Sequence, residues 1–172
     1  MENPIEQVSA MLAITSDRWY SFTKTLSTEF LNRKPASSEW SAVECLQHLI
    51  DAERVFQFRV GCFLKGLDFP AFDPDRQGSK NSGQTPAELA EEFGTLRRQS
   101  LHAIKALTEA DLERRVRHQE LGPVTLHEML TEWAAHDLNH TIQAEKALIQ
   151  PYMLECGPWI EYFQDHVVKE KA

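Results

Sequence analysis

"GLDFPAFDPDRQGSKNSGQT", residues 66–85, decides how this chain folds. It is rich in Gly, Pro, Asp and Ser, and it separates two stretches with helical patterning. Connections of about 20 residues are uncommon inside a compact domain unless they are functional or disordered. A tight turn would leave the flanking helices antiparallel. A link this long can run the length of a bundle and leave them parallel.

Helix starts on either side are marked by three capping boxes. "SAVE" offers Ser41 with Glu44, "TPAE" offers Thr85 and Glu88 with Pro86 at the first helical position, and "TLHE" offers Thr125 and Glu128. In each, a hydroxyl accepts from an orphan helix amide while the carboxylate reaches back to the cap. Four long helices follow, over about 4–30, 42–65, 86–107 and 126–149, with stops at Gly66 and Pro151. Shorter helical pieces are expected over 109–115 and 158–169. The second helix carries Leu46, Leu49, Ile50, Phe56 and Phe63 at a spacing that fills one face. No segment shows sustained alternation, so "RHQELGPVT" (117–125) reads as an irregular connection. The expected fold is all-α: one domain over 1–172, a four-helix bundle of up-down-down-up type with its long crossover between the second and third helices.

Composition bounds the chemistry. A net charge of -8 disfavours both a cationic grip on nucleic acid and attraction to an anionic membrane. No apolar run approaches the roughly 20 residues that span a bilayer. The first residues lack the basic start and apolar block of a signal peptide. Cys45, Cys62 and Cys156 lie far apart without a C-x-x-C pair, which fits buried thiols in a reducing cytoplasm.

The fourth helix contains "WAAHDLNHTIQ", residues 133–143. Four residues span about 6 Å of helix rise, so His136 and His140 stack on one face and could chelate one ion. A further ligand must come from elsewhere. His127 and His166 read as solvated, His118 lies in the charged stretch "ERRVRHQE" and reads as exposed, and His102 reads as structural. His48 sits two turns into the second helix among Leu46, Leu49 and Ile50, where an unpaired imidazole is costly. Its partner is either a polar neighbour or the metal. Carboxylate-bridged di-iron bundles need Glu three residues before His, which this chain lacks, and the zinc-protease H-E-x-x-H pattern fails at Thr131. A His-only site with open coordination positions remains.

"EWSAVECLQHLIDAE" followed by "LGPVTLHEMLTEWAAHDLNHTIQ" resembles the DinB-like superfamily, including its YfiT-like metal-dependent hydrolases. "FPAFDPD" in the crossover resembles the aspartate-rich loop common there. The resemblance covers nearly the whole chain and implies the four-helix bundle already argued. It places the family's three metal-ligating histidines on His48, His136 and His140. It implies a divalent metal, with zinc, nickel or iron all suited to imidazole. It also implies one of several chemistries on a small-molecule substrate. These are thiol S-transfer with a low-molecular-weight thiol as co-substrate, thiol-dependent isomerisation, and hydrolysis. Homodimers are common in the family, and the adjacent Trp19, Tyr20 and Phe22 offer more apolar surface than one helix face hides.

An open site on three imidazoles can lower the pKa of a water or of a thiol. Asp51 and Asp137 are candidate partners that would orient the imidazoles, whereas Glu44 is the capping-box residue. Arg59, three turns beyond His48, reads as a solvated side chain rather than a contact for a ligand carboxylate. A metal-binding or stress-related protein without turnover is the alternative. A cleft reaching the metal would separate the two, because a structural site is closed.

Overall fold

The computed structural model describes residues 3–72 and 83–169. Four long helices dominate: α1 (Pro4–Thr25), α3 (Ala42–Lys65), α4 (Pro86–Lys105) and α6 (Leu126–Glu155). Between them lie α2 (Thr28–Asn32), α5 (Glu109–Leu112) and a hairpin of β1 (Arg115–His118) and β2 (Gly122–Thr125). A 3₁₀ helix, Gly157–His166, follows α6.

All three expected capping boxes form. Ser41 accepts from the Glu44 amide at 3.3 Å, and the Ser41 amide donates to Glu44 Oε2 at 2.7 Å. Thr85 with Glu88 and Thr125 with Glu128 repeat the arrangement. Gly66 ends α3 with φ 67°, a left-handed value that glycine adopts without a Cβ penalty. The Leu67 amide then reaches back to Cys62 O and the Gly66 amide to Phe63 O, the paired bonds of a Schellman end.

Side-chain pairs fix the helix directions. Glu53 meets Arg97 and Gln57 meets Ser100, so α3 and α4 run parallel. Phe56 stacks on Trp133 while His48 faces His136, so α6 runs against α3. Thr15 meets Asp137 and Arg18 meets Glu145, so α1 runs with α6. These contacts make the up-down-down-up bundle and require the long crossover. Residues 73–75 of the aspartate-rich stretch lie outside the described residues.

Four local expectations are corrected. The first helix breaks at Leu26, which is extended, because Ser27 accepts from the Phe30 amide at 3.2 Å and caps a new helix instead. Pro151 does not stop the last long helix, which runs on to Glu155 with Pro151 buried inside it. Proline removes one amide donor and crowds the preceding turn. Gln150 ties down the adjoining chain, donating to Lys146 O at 2.8 Å and accepting from the Val168 amide at 2.8 Å. Residues 115–118 and 122–125 form antiparallel strands of four residues each; β1 alternates exposed and buried positions, but polar His118 fills one buried place, so the alternation does not show in the sequence. His118 is buried rather than exposed: its Nδ1 accepts from the amides of Glu120 and Leu121 and organises the hairpin turn. Phe69 from the crossover joins the hairpin edge, donating to Arg117 O at 3.1 Å and accepting from the Gln119 amide at 3.2 Å.

Within α1 the three adjacent aromatics divide. Trp19 is buried, Phe22 packs against the core edge and Tyr20 is exposed. The apolar core has two halves, one containing Leu12, Phe56 and Trp133, the other Trp19, Leu49 and Phe93. Between them in the order along each helix fall Thr15, Glu53, Arg97 and Asp137, all buried. No helix is long and apolar enough to cross a membrane among the described residues.

Candidate metal centre

Antiparallel packing of α3 on α6 brings His48 opposite His136 and His140. His48 Nε2 and His136 Nε2 lie 3.1 Å apart, and one ring nitrogen from each of the three histidines lies within 4.8 Å of the others. Two nitrogens each about 2.0–2.1 Å from a zinc ion would be separated by about 3 Å at ordinary coordination angles, so the spacing suits one shared ion. All three rings are half-buried. Trp40 walls the site, stacked on His140 at 5.7 Å and tilted against His48 at 5.1 Å. Phe56 meets His136 edge-on.

Protonation favours ligation. Burial pushes His48 down to about 4, with the neighbouring His140 adding to the effect and Asp51 opposing it. Burial pushes His136 to about 3, followed by His140, His48 and Arg59. Burial lowers His140 too, against Gln143 and Asp137. The three imidazoles are therefore neutral at pH 7 and offer lone pairs. His140 Nδ1 lies 2.8 Å from Gln143 Oε1, so Nδ1 carries the proton and Nε2 is free to bind. The buried His136 Nδ1 has no hydrogen-bond partner among the described residues. This donor set fits a borderline divalent cation.

Of the two expected orienting carboxylates, Asp51 acts on His48 through its charge while pairing with Arg54 at 3.1 Å. Asp137 likewise acts on His140 through its charge alone, because successive helix positions are turned by about 100°. It accepts instead from Arg97, at 2.6 Å. Gln143 takes the orienting role, and its place three residues after His140 was the available signal. Glu44 caps α3 and pairs with Lys34 at 2.7 Å. His102, His127 and His166 are exposed, outside the cluster.

A cavity of about 420 Å³ reaches His136. Phe56, Phe69, Phe72 and Met129 supply apolar walls, and Arg59, His118 and Glu132 supply polar ones. Arg59 is half-buried there rather than solvated, its guanidinium 5.1 Å from the Phe69 ring centre and 5.7 Å from that of Phe56. Burial raises the Glu132 carboxyl, with Arg59 opposing. None of the cysteines lines the cavity, and burial pushes the Cys45 thiol up to about 12, so it is a poor nucleophile.

The model of the DinB superfamily matches residues 11–144. The chain belongs to the DinB superfamily. A relative, the uncharacterized protein YuaE of Bacillus subtilis (strain 168), is 27% identical over 140 residues, covering 72% of this chain and 86% of YuaE. Among solved structures, YfiT from Bacillus subtilis superposes with a TM-score of 0.74 at 16% identity, over 88% of this chain and 89% of YfiT. YfiT is described as a probable metal-dependent hydrolase with an unusual four-helix bundle topology. The DinB-like protein YjoA from Bacillus subtilis gives 0.59 at 19% identity, over 83% and 90% of the two chains. The mycothiol-dependent maleylpyruvate isomerase gives 0.66 at 11% identity, over 83% of this chain and 61% of the isomerase. At these identities the three superpositions show a shared fold, and the chemistry of this member rests on its own residues.

Two expected results follow from the geometry. Gln143→Leu should free the His140 ring and lower metal affinity by roughly 10–100-fold, the usual cost of losing an orienting partner, read by competition with a chelator of known affinity. Metal-free protein should lose stability as pH falls from 7 to 5. His48 and His136 titrate below their ordinary 6.5 in the folded chain, so the unfolded chain binds more protons in that interval. Their contribution is fully present above about 6.5 and is lost toward about 4 and 3. Urea unfolding at several pH values measures it, and a His48→Gln, His136→Gln chain should show a flatter slope.

Proposed function

We propose that His48, His136 and His140 hold one divalent metal ion and that this DinB member is a metal-dependent enzyme. The reaction we favour is transfer of a low-molecular-weight thiol to a small electrophile. The carrying observation is the cavity: His136 of the half-buried imidazole cluster lines a cleft large enough for a small molecule. A purely structural site would be closed by protein ligands. A bound divalent ion would supply a Lewis acid able to lower the pKa of a thiol or a water molecule to the neutral range.

The chain's own residues do the rest. Three neutral imidazoles leave the ion's charge uncompensated. Gln143 fixes the His140 tautomer, and Trp40 and Phe56 shield the histidine rings. With Cys45 and Cys62 buried and no cysteine in the cavity, the thiol must come from a co-substrate. Hydrolysis is the second reading, favoured by Glu132, whose raised pKa in the same cavity suits a general base for water. Metal analysis of the purified chain, then a screen of small thiols with electrophiles against ester and amide substrates, tests both. Metal-dependent thiol consumption supports the first reading. Metal-dependent hydrolysis without thiol supports the second, and inactivity of metal-loaded protein toward both panels removes the enzyme reading.

A further inference from the structure

His118 accepts two backbone hydrogen bonds at Nδ1, from the Glu120 amide at 3.1 Å and the Leu121 amide at 3.2 Å. A neutral imidazole has one acceptor nitrogen, so its proton must sit on Nε2. That Nε2 lies 3.5 Å from Arg59 Nη2. Arginine has no acceptor, so this contact is two N–H donors side by side and not a hydrogen bond. Among the described residues Arg59 makes no ion pair, in contrast to Arg97 with its two carboxylates. Its guanidinium rests on Phe56 and Phe69 instead.

Two adjacent donors, one permanently cationic, therefore line the cavity without a hydrogen-bonded carboxylate; Glu132 acts on Arg59 through its charge but makes no ion pair with it. This pair and His136 line the same cavity with Phe56, and the Arg59 guanidinium and the His136 ring each lie 5.7 Å from the centre of the Phe56 ring. We infer that Arg59 and His118 form a subsite for the carboxylate of a small ligand whose apolar body lies along Phe56, Phe69 and Phe72. A carboxylate offers two oxygens in one plane, matching paired donors in a way an alcohol or amine cannot. Glu120, Glu128 and Glu132 line the same cavity and disfavour a polyanion, so the ligand carries one carboxylate. This assignment rests on the proposed metal site only in making the bound molecule a substrate; the binding itself does not need the ion.

The test uses the full chain, zinc-loaded and chelator-treated, titrated with 3-phenylpropionate and with 3-phenylpropan-1-ol by heteronuclear NMR. Zinc content is measured on the same samples, and circular dichroism checks each variant. We expect the acid to bind at least about tenfold more tightly than the alcohol. Arg59→Gln should remove that preference and Arg59→Lys restore part of it, as for loss of one charge-assisted contact. The ring nitrogen shifts of His118 should report the Nε2–H form. Equal binding of acid and alcohol overturns the subsite, as does an acid preference unchanged in Arg59→Gln, or a proton on Nδ1. An acid preference that needs zinc and ignores Arg59 places the carboxylate on the metal and likewise overturns it. Failure to retain zinc, with Arg59-dependent acid binding intact, sinks the metal reading and leaves the subsite standing.

Discussion

His136→Ala and His140→Ala are each expected to abolish metal retention and all metal-dependent turnover while far-UV circular dichroism stays helical. Among the described residues three protein ligands converge, so losing one leaves two of those nitrogens, too few for a stable site. The helices have their own support in the capping boxes of α3, α4 and α6 and in two apolar core halves. Some fall in melting temperature is expected, because an ion bound only to the folded state stabilises it by mass action, about 2.7 kcal/mol at a hundredfold excess over Kd. The unmutated chain supplies the sharper contrast. Chelation should leave a cooperative, helical protein whose activity returns with metal. If chelation unfolds the chain and the loaded form turns nothing over, the ion is a structural staple.

Much of this was legible in the sequence because it depends on local chemistry. Ser41, Thr85 and Thr125 announce helix starts through contacts three residues long, and His136 with His140 is a one-face relation within a single helix. The 20-residue link from Gly66 to Thr85 carries the topology through loop length alone. What escaped depends on contacts between distant segments. Asp137 adjoins His136 in sequence, yet its partner Arg97 is 40 positions away. His118 sits in a run of charges and reads as exposed until the crossover brings Phe69 against it. Arg59 reads as solvated because nothing in α3 shows that the hairpin will build a wall opposite. The first strand escaped because polar His118 takes one of its buried places, and the break at Ser27 rests on one capping bond that periodicity does not register.

The buried ion network carries the other large expected effect. Arg97 Nη1 donates to Leu12 O at 2.6 Å and lies 3.2 Å from both Thr15 Oγ1 and Asp137 Oδ2. Nη2 donates to Asp137 Oδ1 at 2.6 Å and Glu53 Oε2 at 2.8 Å, while Nε is 3.1 Å from both Glu53 oxygens. One guanidinium thus joins α1, α3, α4 and α6. Burial alone would ease its proton off, but Asp137 and then Glu53 outweigh burial and hold it charged. Arg97→Met should cost about 3–5 kcal/mol by stranding two carboxylates in the interior, measured by urea unfolding. A loss under about 1 kcal/mol would show that the carboxylates find water or protons at little cost, against this account. The triple replacement Arg97→Met, Glu53→Leu, Asp137→Val removes every charge of the network and should recover much of the stability, since well-packed apolar residues often match a buried ion pair. Its metal affinity is the informative readout. Directional bonds resist sliding of one helix along another, whereas apolar contacts tolerate it. Glu53 is five residues from His48 on α3 and Asp137 is next to His136 on α6, so the network joins the same two helices that bring the imidazoles to 3.1 Å. A stable triple variant that binds zinc more weakly would assign the network to aligning the site; one that binds zinc as tightly as the parent would assign it to stability alone.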